Sequence, residues 1–178
     1  MVNRIRKNTD IPMVFMTYAN VVYSYGIEKF CSKMVEGNMS GMILPDVPFE
    51  EKEEFDIVCK EYELDLISMI APTSHQRIQT IVKESNGFIY CVSSLGVTGV
   101  RSNITTDIGA KVDLVREVTD VPVAVGFGIS TPEQTKKMAA QSDGAIVGSA
   151  IIKIIEKYEK DAPQYVEAYV KEMVDAIK

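Results

Sequence analysis

The sequence holds a single histidine, His75, and only three cysteines, Cys31, Cys59 and Cys91. A Ser-His-Asp triad or a histidine-built metal centre would need His75 in every role, and no Cys or Asp cluster stands near it. Both chemistries are set aside, and His75, which follows Pro72-Thr73-Ser74, is read as a surface residue. The cysteines are odd in number, widely spaced and never CxxC, so reduced core side chains are expected rather than disulfides or metal ligands. No apolar run reaches the roughly 20 residues that cross a bilayer, and no charged-then-apolar leader opens the chain. The cytoplasm is the expected compartment. The net charge of -6 comes without long runs of one sign, which excludes the clustered Lys and Arg that hold nucleic acid. Most acidic residues are read as solvated helix faces.

What is present suits one soluble domain: 178 residues, 46% hydrophobic and 25% charged. Short apolar runs recur at 12–16, 41–44, 64–70, 88–92, 121–125 and 144–147. Several have almost no polar alternation, as strands buried on both faces require. Their centres are about 22 to 34 residues apart, the size of a strand–helix unit. Between them lie helical stripes, one of Ile27, Phe30, Cys31, Met34 and Val35 and another of Ile108, Val112 and Val115. A last stripe, Tyr165, Val166, Tyr169, Val170, Met173 and Ile177, is expected on an outer helix layer.

Six strands alternating with helices predict a parallel sheet. The pattern permits a doubly wound open sheet or a (β/α)₈ barrel, although a barrel usually takes about 250 residues and eight strands. Residues 1–10 have helical spacing and run straight into the first strand, which reads as the tail of a helix whose own strand is absent.

The strongest local signal is Val125-Gly126-Phe127-Gly128-Ile129-Ser130-Thr131-Pro132-Glu133. A buried strand ends in Gly-Phe-Gly, and a helix with cap residue, proline and acid begins at once. Glycines there admit a ligand to the backbone, and helix-start N–H groups attract an anion. The next unit repeats the idea with Val147-Gly148-Ser149-Ala150, and consecutive late loops of this type form phosphate sites in barrels. A third loop, Ser93 to Arg101, is long and polar; Gly96 and Gly99 are read as hinges and Thr98 as a group that reaches a substrate. Asp46, in LPDVPFEE (44–51), follows a strand as barrel site groups do. A turn aspartate and the cap of the Glu-rich helix that follows stay open as readings of it. Tyr18 and Tyr90 each offer a hydroxyl and a flat face, or are core aromatics.

Taken in order, MTYAN (16–20), LPDVPFEE (44–51), APT (71–73), YCVSSLGVTGVR (90–101), PVAVGFGISTPEQ (122–134) and GAIVGSAIIKIIEK (144–157) resemble the tryptophan synthase alpha subunit family over essentially the whole chain. The resemblance implies a (β/α)₈ TIM barrel, here expected as a single partial domain, 1–178, N-terminally truncated to about six βα units (strands 3 to 8). It implies a lyase that cleaves indole-3-glycerol phosphate to indole and glyceraldehyde 3-phosphate in tryptophan biosynthesis, with indole passing to a beta subunit in an alpha2beta2 heterotetramer. Pyridoxal phosphate is expected on the beta subunit only, and no cofactor or metal on this chain.

By the same resemblance, Gly99, Gly128, Gly148 and Ser149 hold the substrate phosphate and Phe127 and Tyr18 line the indole side. Thr98 belongs to a closing loop, Tyr90 supports the catalytic groups, and Asn20, Asp46, Pro48 and Glu51 lie toward the beta subunit. The family's two catalytic carboxylates lie upstream of the matched strings, and no replacement pair is read in this chain, so the fragment alone is expected to be inactive. Two alternatives stand beside this: a non-catalytic product that binds a phosphate ligand or a beta subunit, and another phosphate-binding barrel enzyme.

Overall fold

The computed structural model describes residues 1–71, 75–92, 108–126 and 128–178. Its packing divides into two compact units, residues 1–69 with 84–88, and residues 70–83 with 89–178.

In the first unit, β1 (Val14–Met16), β2 (Gly41–Ile43) and β3 (Asp65–Leu66) form a parallel sheet in that order, with Val14 opposite Gly41 and Gly41 opposite Asp65. Around it run α1 (Val2–Ile5), α2 (Ala19–Tyr25), α3 (Ile27–Glu36), a 3₁₀ turn (Phe49–Glu51) and α4 (Glu53–Glu61). Helices α2, α3 and α4 bury Val22, Cys31, Met34, Phe55 and Cys59 against Met42 and Leu44 of the second strand and its exit. The α3 stripe holds for Cys31 and Met34, with Ile27 and Phe30 packed beside them, while Val35 is exposed.

All three cysteines are buried free thiols, as expected. Burial pushes the Cys59 thiol up to about 12, with the neighbouring Cys31 adding to the effect. Both groups are therefore unreactive packing at neutral pH. The opening helix is shorter than residues 1–10 suggest: α1 ends at Ile5 and buries nothing. Asn8, Thr9 and Asp10 favour turns over helix, and Arg6 ties the segment down through the carbonyls of Ile11 and Asn38.

The run expected as one strand at 64–70 is two. It breaks at Ile67, whose N–H donates to the Met42 carbonyl at 2.9 Å, and resumes as β4 (Ser68–Ile70), the first strand of the other sheet. That sheet continues with β5 (Ile89–Val92), β6 (Val123–Gly126) and β7 (Gly144–Ile146). The pairs β5–β6 and β6–β7 are parallel, with Tyr90 opposite Ala124 and Ala124 opposite Gly144. Seven strands thus stand where six were expected among the described residues.

The second unit's helices are α5 (His75–Val82), α6 (Ile108–Arg116), α7 (Pro132–Ala139), α8 (Ser149–Tyr158) and α9 (Ala162–Asp175). His75 is exposed at the start of α5. Helix α6 buries Ile108, Val112 and Val115, the stripe read from the sequence. On α9 the stripe is only partly covered: Met173 is buried, Val166 and Tyr169 are half-buried, and Tyr165, Val170 and Ile177 are exposed.

Helix α7 begins with the cap expected of it. The Thr131 hydroxyl accepts from the Gln134 N–H at 3.2 Å, and the Gln134 side chain accepts from the Ser130 and Thr131 N–H groups at 2.8 and 3.3 Å. This reciprocal pair satisfies donors that no turn of helix precedes. Thr131→Ala removes one half and is expected to lower unfolding free energy by about 1 kcal/mol in urea denaturation.

Candidate functional site

The two late glycine loops, alike in sequence, differ in what their helices offer an anion. After β6, Gly128 stands at φ +81°, where a side chain is strained, and the chain then enters α7. The Tyr169 hydroxyl of α9 donates to the Ser130 carbonyl at 2.9 Å and the Thr135 hydroxyl meets the Met173 sulfur at 3.1 Å, so α9 fixes the start of α7. The exposed Glu133 carboxyl is held below its usual range by its own backbone N–H and the Thr131 hydroxyl. The first-turn donors of α7 are thus spent inside the protein.

Helix α8 is different. Its cap residue is Gly148, no side chain caps it, and the space around the position of an absent Gly148 side chain is open. Gly148 is exposed and Ser149 half-buried. A ten-residue helix with an uncapped start, a hydroxyl in its first residue and room in front is a ready anion site. The expectation that both helix starts attract an anion is corrected to one, because the capping box of α7 has already used its own.

Tyr90 lies on β5 in the register that turns Tyr90, Val92, Ala124 and Gly126 to one side of the sheet and Ile89, Cys91, Val123 and Val125 to the other. Tyr90 is buried, and burial raises its hydroxyl pKa. Its ring occupies the place where Gly126 lacks a side chain: a Cβ there would stand 2.4 Å from the hydroxyl oxygen and 2.6 Å from Cζ. Gly126, read in the sequence as a glycine that admits a ligand, therefore makes room for a protein side chain. The sequence carries a signal for it, a glycine two positions past the strand partner of a tyrosine, but the signal is legible only once the register is known.

In the first unit, Tyr18 is an exposed residue at the start of α2, and Asn20, Asp46, Pro48 and Glu51 are all exposed. Asp46 is a helix cap, though for a helix other than the one expected. Both carboxylate oxygens accept from the Ala19 N–H, at 3.0 and 3.1 Å, so it caps α2 rather than the Glu-rich α4. The chain turn after β2 brings it back to the exit of β1, which sequence spacing alone does not indicate. Asp46→Ala is expected to cost about 1 kcal/mol, checked by urea denaturation, with Asp46→Asn recovering most of it because the amide oxygen still accepts.

Thr98, Gly99 and Phe127 lie outside the described residues, as do the proposed hinge Gly96 and Arg101. Among the described residues no group of three His, Cys, Asp or Glu could hold a metal ion, and no helix is long and apolar enough to cross a membrane.

A sequence model of the family described as "Tryptophan synthase alpha chain" matches residues 1–178. That match takes in the whole chain and lends no support to the expected loss of N-terminal strands. The tryptophan synthase alpha chain of Lacticaseibacillus casei is 41% identical over 181 residues, covering 100% of this chain and 68% of the relative. That of Caldanaerobacter subterraneus subsp. tengcongensis is 47% identical over 157 residues, covering 88% of this chain and 60% of the relative. Among solved structures, one from the tryptophan synthase a2b2 complex of Pyrococcus furiosus superposes with a TM-score of 0.83 at 26% identity, covering 98% of this chain and 70% of that one. The chain thus spans about 60 to 70% of the length of these proteins.

Proposed function

The chain belongs to the tryptophan synthase alpha chain family, and on that premise we propose that it serves the family's lyase reaction, cleavage of indole-3-glycerol phosphate to indole and glyceraldehyde 3-phosphate in tryptophan biosynthesis. The single observation that carries this reading is the uncapped, open start of α8 at Gly148 and Ser149. It supports a phosphate held by backbone N–H groups and the Ser149 hydroxyl, with Gly128 and Gly99 as further members by resemblance. Tyr18 and Phe127 line the indole side in this reading, Thr98 belongs to the closing loop, and Tyr90 is a supporting group beneath the reacting atoms. The two units are parts of one (β/α)₈-type domain over 1–178, in a cytoplasmic enzyme.

Cleavage needs an acid to protonate the indole ring and a base to take the glycerol hydroxyl proton. Asp46 is the carboxylate nearest in kind, and its two oxygens are occupied at the start of α2. The reading therefore leaves the acid–base pair to residues beyond those described and gives this chain the phosphate and indole ends. The chain's own residues use no cofactor; pyridoxal phosphate stays with a beta subunit that meets Asn20, Asp46, Pro48 and Glu51.

The test is indole release from indole-3-glycerol phosphate by the complete alpha chain in the presence of the beta chain. Release is expected, and its absence overturns the reading in favour of another phosphate-barrel chemistry. Residues 1–178 alone are expected to bind glyceraldehyde 3-phosphate and release no indole.

A further inference from the structure

An open groove of about 780 Å³ runs between α2 and the segment that leads into α4. Five carboxylates border it, Asp46, Glu50, Glu51, Glu53 and Glu54, and no Lys or Arg is among its lining residues. The one cation of that segment, Lys52, pairs with Glu84 at 3.2 Å and lies over the Phe49 ring, 4.6 Å from its centroid. Gathering like charge along one groove raises the local field and disfavours the empty state.

The groove also has an aromatic wall. Tyr23 is 56% exposed, yet it is held at both ends. Its ring rests edge-on against Phe55 at 6.2 Å, and its hydroxyl donates to Glu54 at 2.6 Å. An immobilised, exposed tyrosine beside carboxylates suits a guanidinium, which stacks on a ring and pairs with a carboxylate through two parallel hydrogen bonds; an ammonium offers only a point charge. Because the tyrosine is already ordered, little side-chain entropy is lost when such a group arrives.

We propose that this groove docks an arginine-bearing basic segment of the beta chain. The inference rests on the interface reading above, since Asn20, Asp46 and Glu51 line the same groove, and it adds the chemistry of what is received there.

The chain is titrated with the beta chain of the same organism at about 50 mM and about 300 mM NaCl, where screening lengths differ more than twofold. Beside it run the single variants Glu50→Gln and Glu53→Gln and the triple variant Glu50→Gln/Glu53→Gln/Glu54→Gln. These are exposed positions, and an unchanged melting temperature shows that each variant is folded. The wild-type Kd is expected to weaken at least ~10-fold at the higher salt. The triple variant is expected to bind ~10-fold weaker at the lower salt and to lose most of that salt dependence, with the singles in between. Wild-type binding matched by the triple variant, in Kd and in salt dependence, overturns the basic-groove inference and leaves the interface reading standing. No binding by the wild-type chain overturns both.

Discussion

Replacing Gly126 by alanine is expected to destabilise the chain by about 1 to 3 kcal/mol and to depress indole release well beyond what the loss of folded protein accounts for. One methyl group does this because of where it lands. The added Cβ stands 2.4 Å from the Tyr90 hydroxyl oxygen, 2.6 Å from Cζ and 2.9 Å from Cε2, far inside van der Waals contact. Gly126 cannot retreat without dragging β6 off its pairing with β5 and β7. Tyr90 cannot swing aside without leaving a hole where a buried ring was. The clash falls on the ring itself and not only on its oxygen, so Tyr90→Phe is expected to give little relief. Tyr90→Leu removes every atom within 3 Å and should rescue. In a double-mutant cycle by urea unfolding, Gly126→Ala with Tyr90→Leu should be less destabilised than the two singles added together, by about 1 kcal/mol or more. Strict additivity would show that the two residues do not compete for the same space.

That pairing also marks the boundary of what the sequence discloses. The strands at 14–16, 41–43, 89–92, 123–126 and 144–146 follow from apolar runs without alternation, because a parallel sheet covered on both faces leaves no polar side to write. The start of α7 is equally plain, since Thr131, Pro132, Glu133 and Gln134 each satisfy a local requirement that no distant residue can change. The failures are all non-local. Leu64 to Ile70 reads as one strand because its composition is uniform; the break at Ile67 is imposed by a hydrogen bond to Met42, a strand away. Asp46 reads as a cap, correctly, but the helix it caps lies 27 positions earlier in the chain. Two helices that look like anion sites separate only when the Gln134 side chain is seen to fold back over its own cap. Composition and spacing fix which groups are available, and register and side-chain return decide whom they meet.

The difference between α7 and α8 leads to the largest expected effect on ligand binding, at Gly148. Gly148→Asp is expected to leave the fold intact and weaken binding of glyceraldehyde 3-phosphate by ~100-fold or more. The position is open, with nothing within 4 Å of the added Cβ, and its φ of -125° is ordinary for any residue. Aspartate is among the best helix caps, so α8 should be unharmed or steadied by a few tenths of a kcal/mol. The same carboxylate occupies the first-turn N–H groups and sets a negative charge against the phosphate. At about 6 Å and an effective dielectric of about 20, one pair of unit charges repels by about 3 kcal/mol, which alone supplies the ~100-fold. Gly148→Asn separates the two causes, since it caps equally and carries no charge; its loss is expected to be ~10-fold. The rise in melting temperature with added ligand measures all three chains, because a ligand bound only to the folded state stabilises it in proportion to the logarithm of its concentration over Kd. If Asn and Asp weaken protection equally, the phosphate charge is not at the start of α8. If neither weakens it, the site assigned to Gly148 and Ser149 is wrong, and the ligand is held by the glycines after β6 instead.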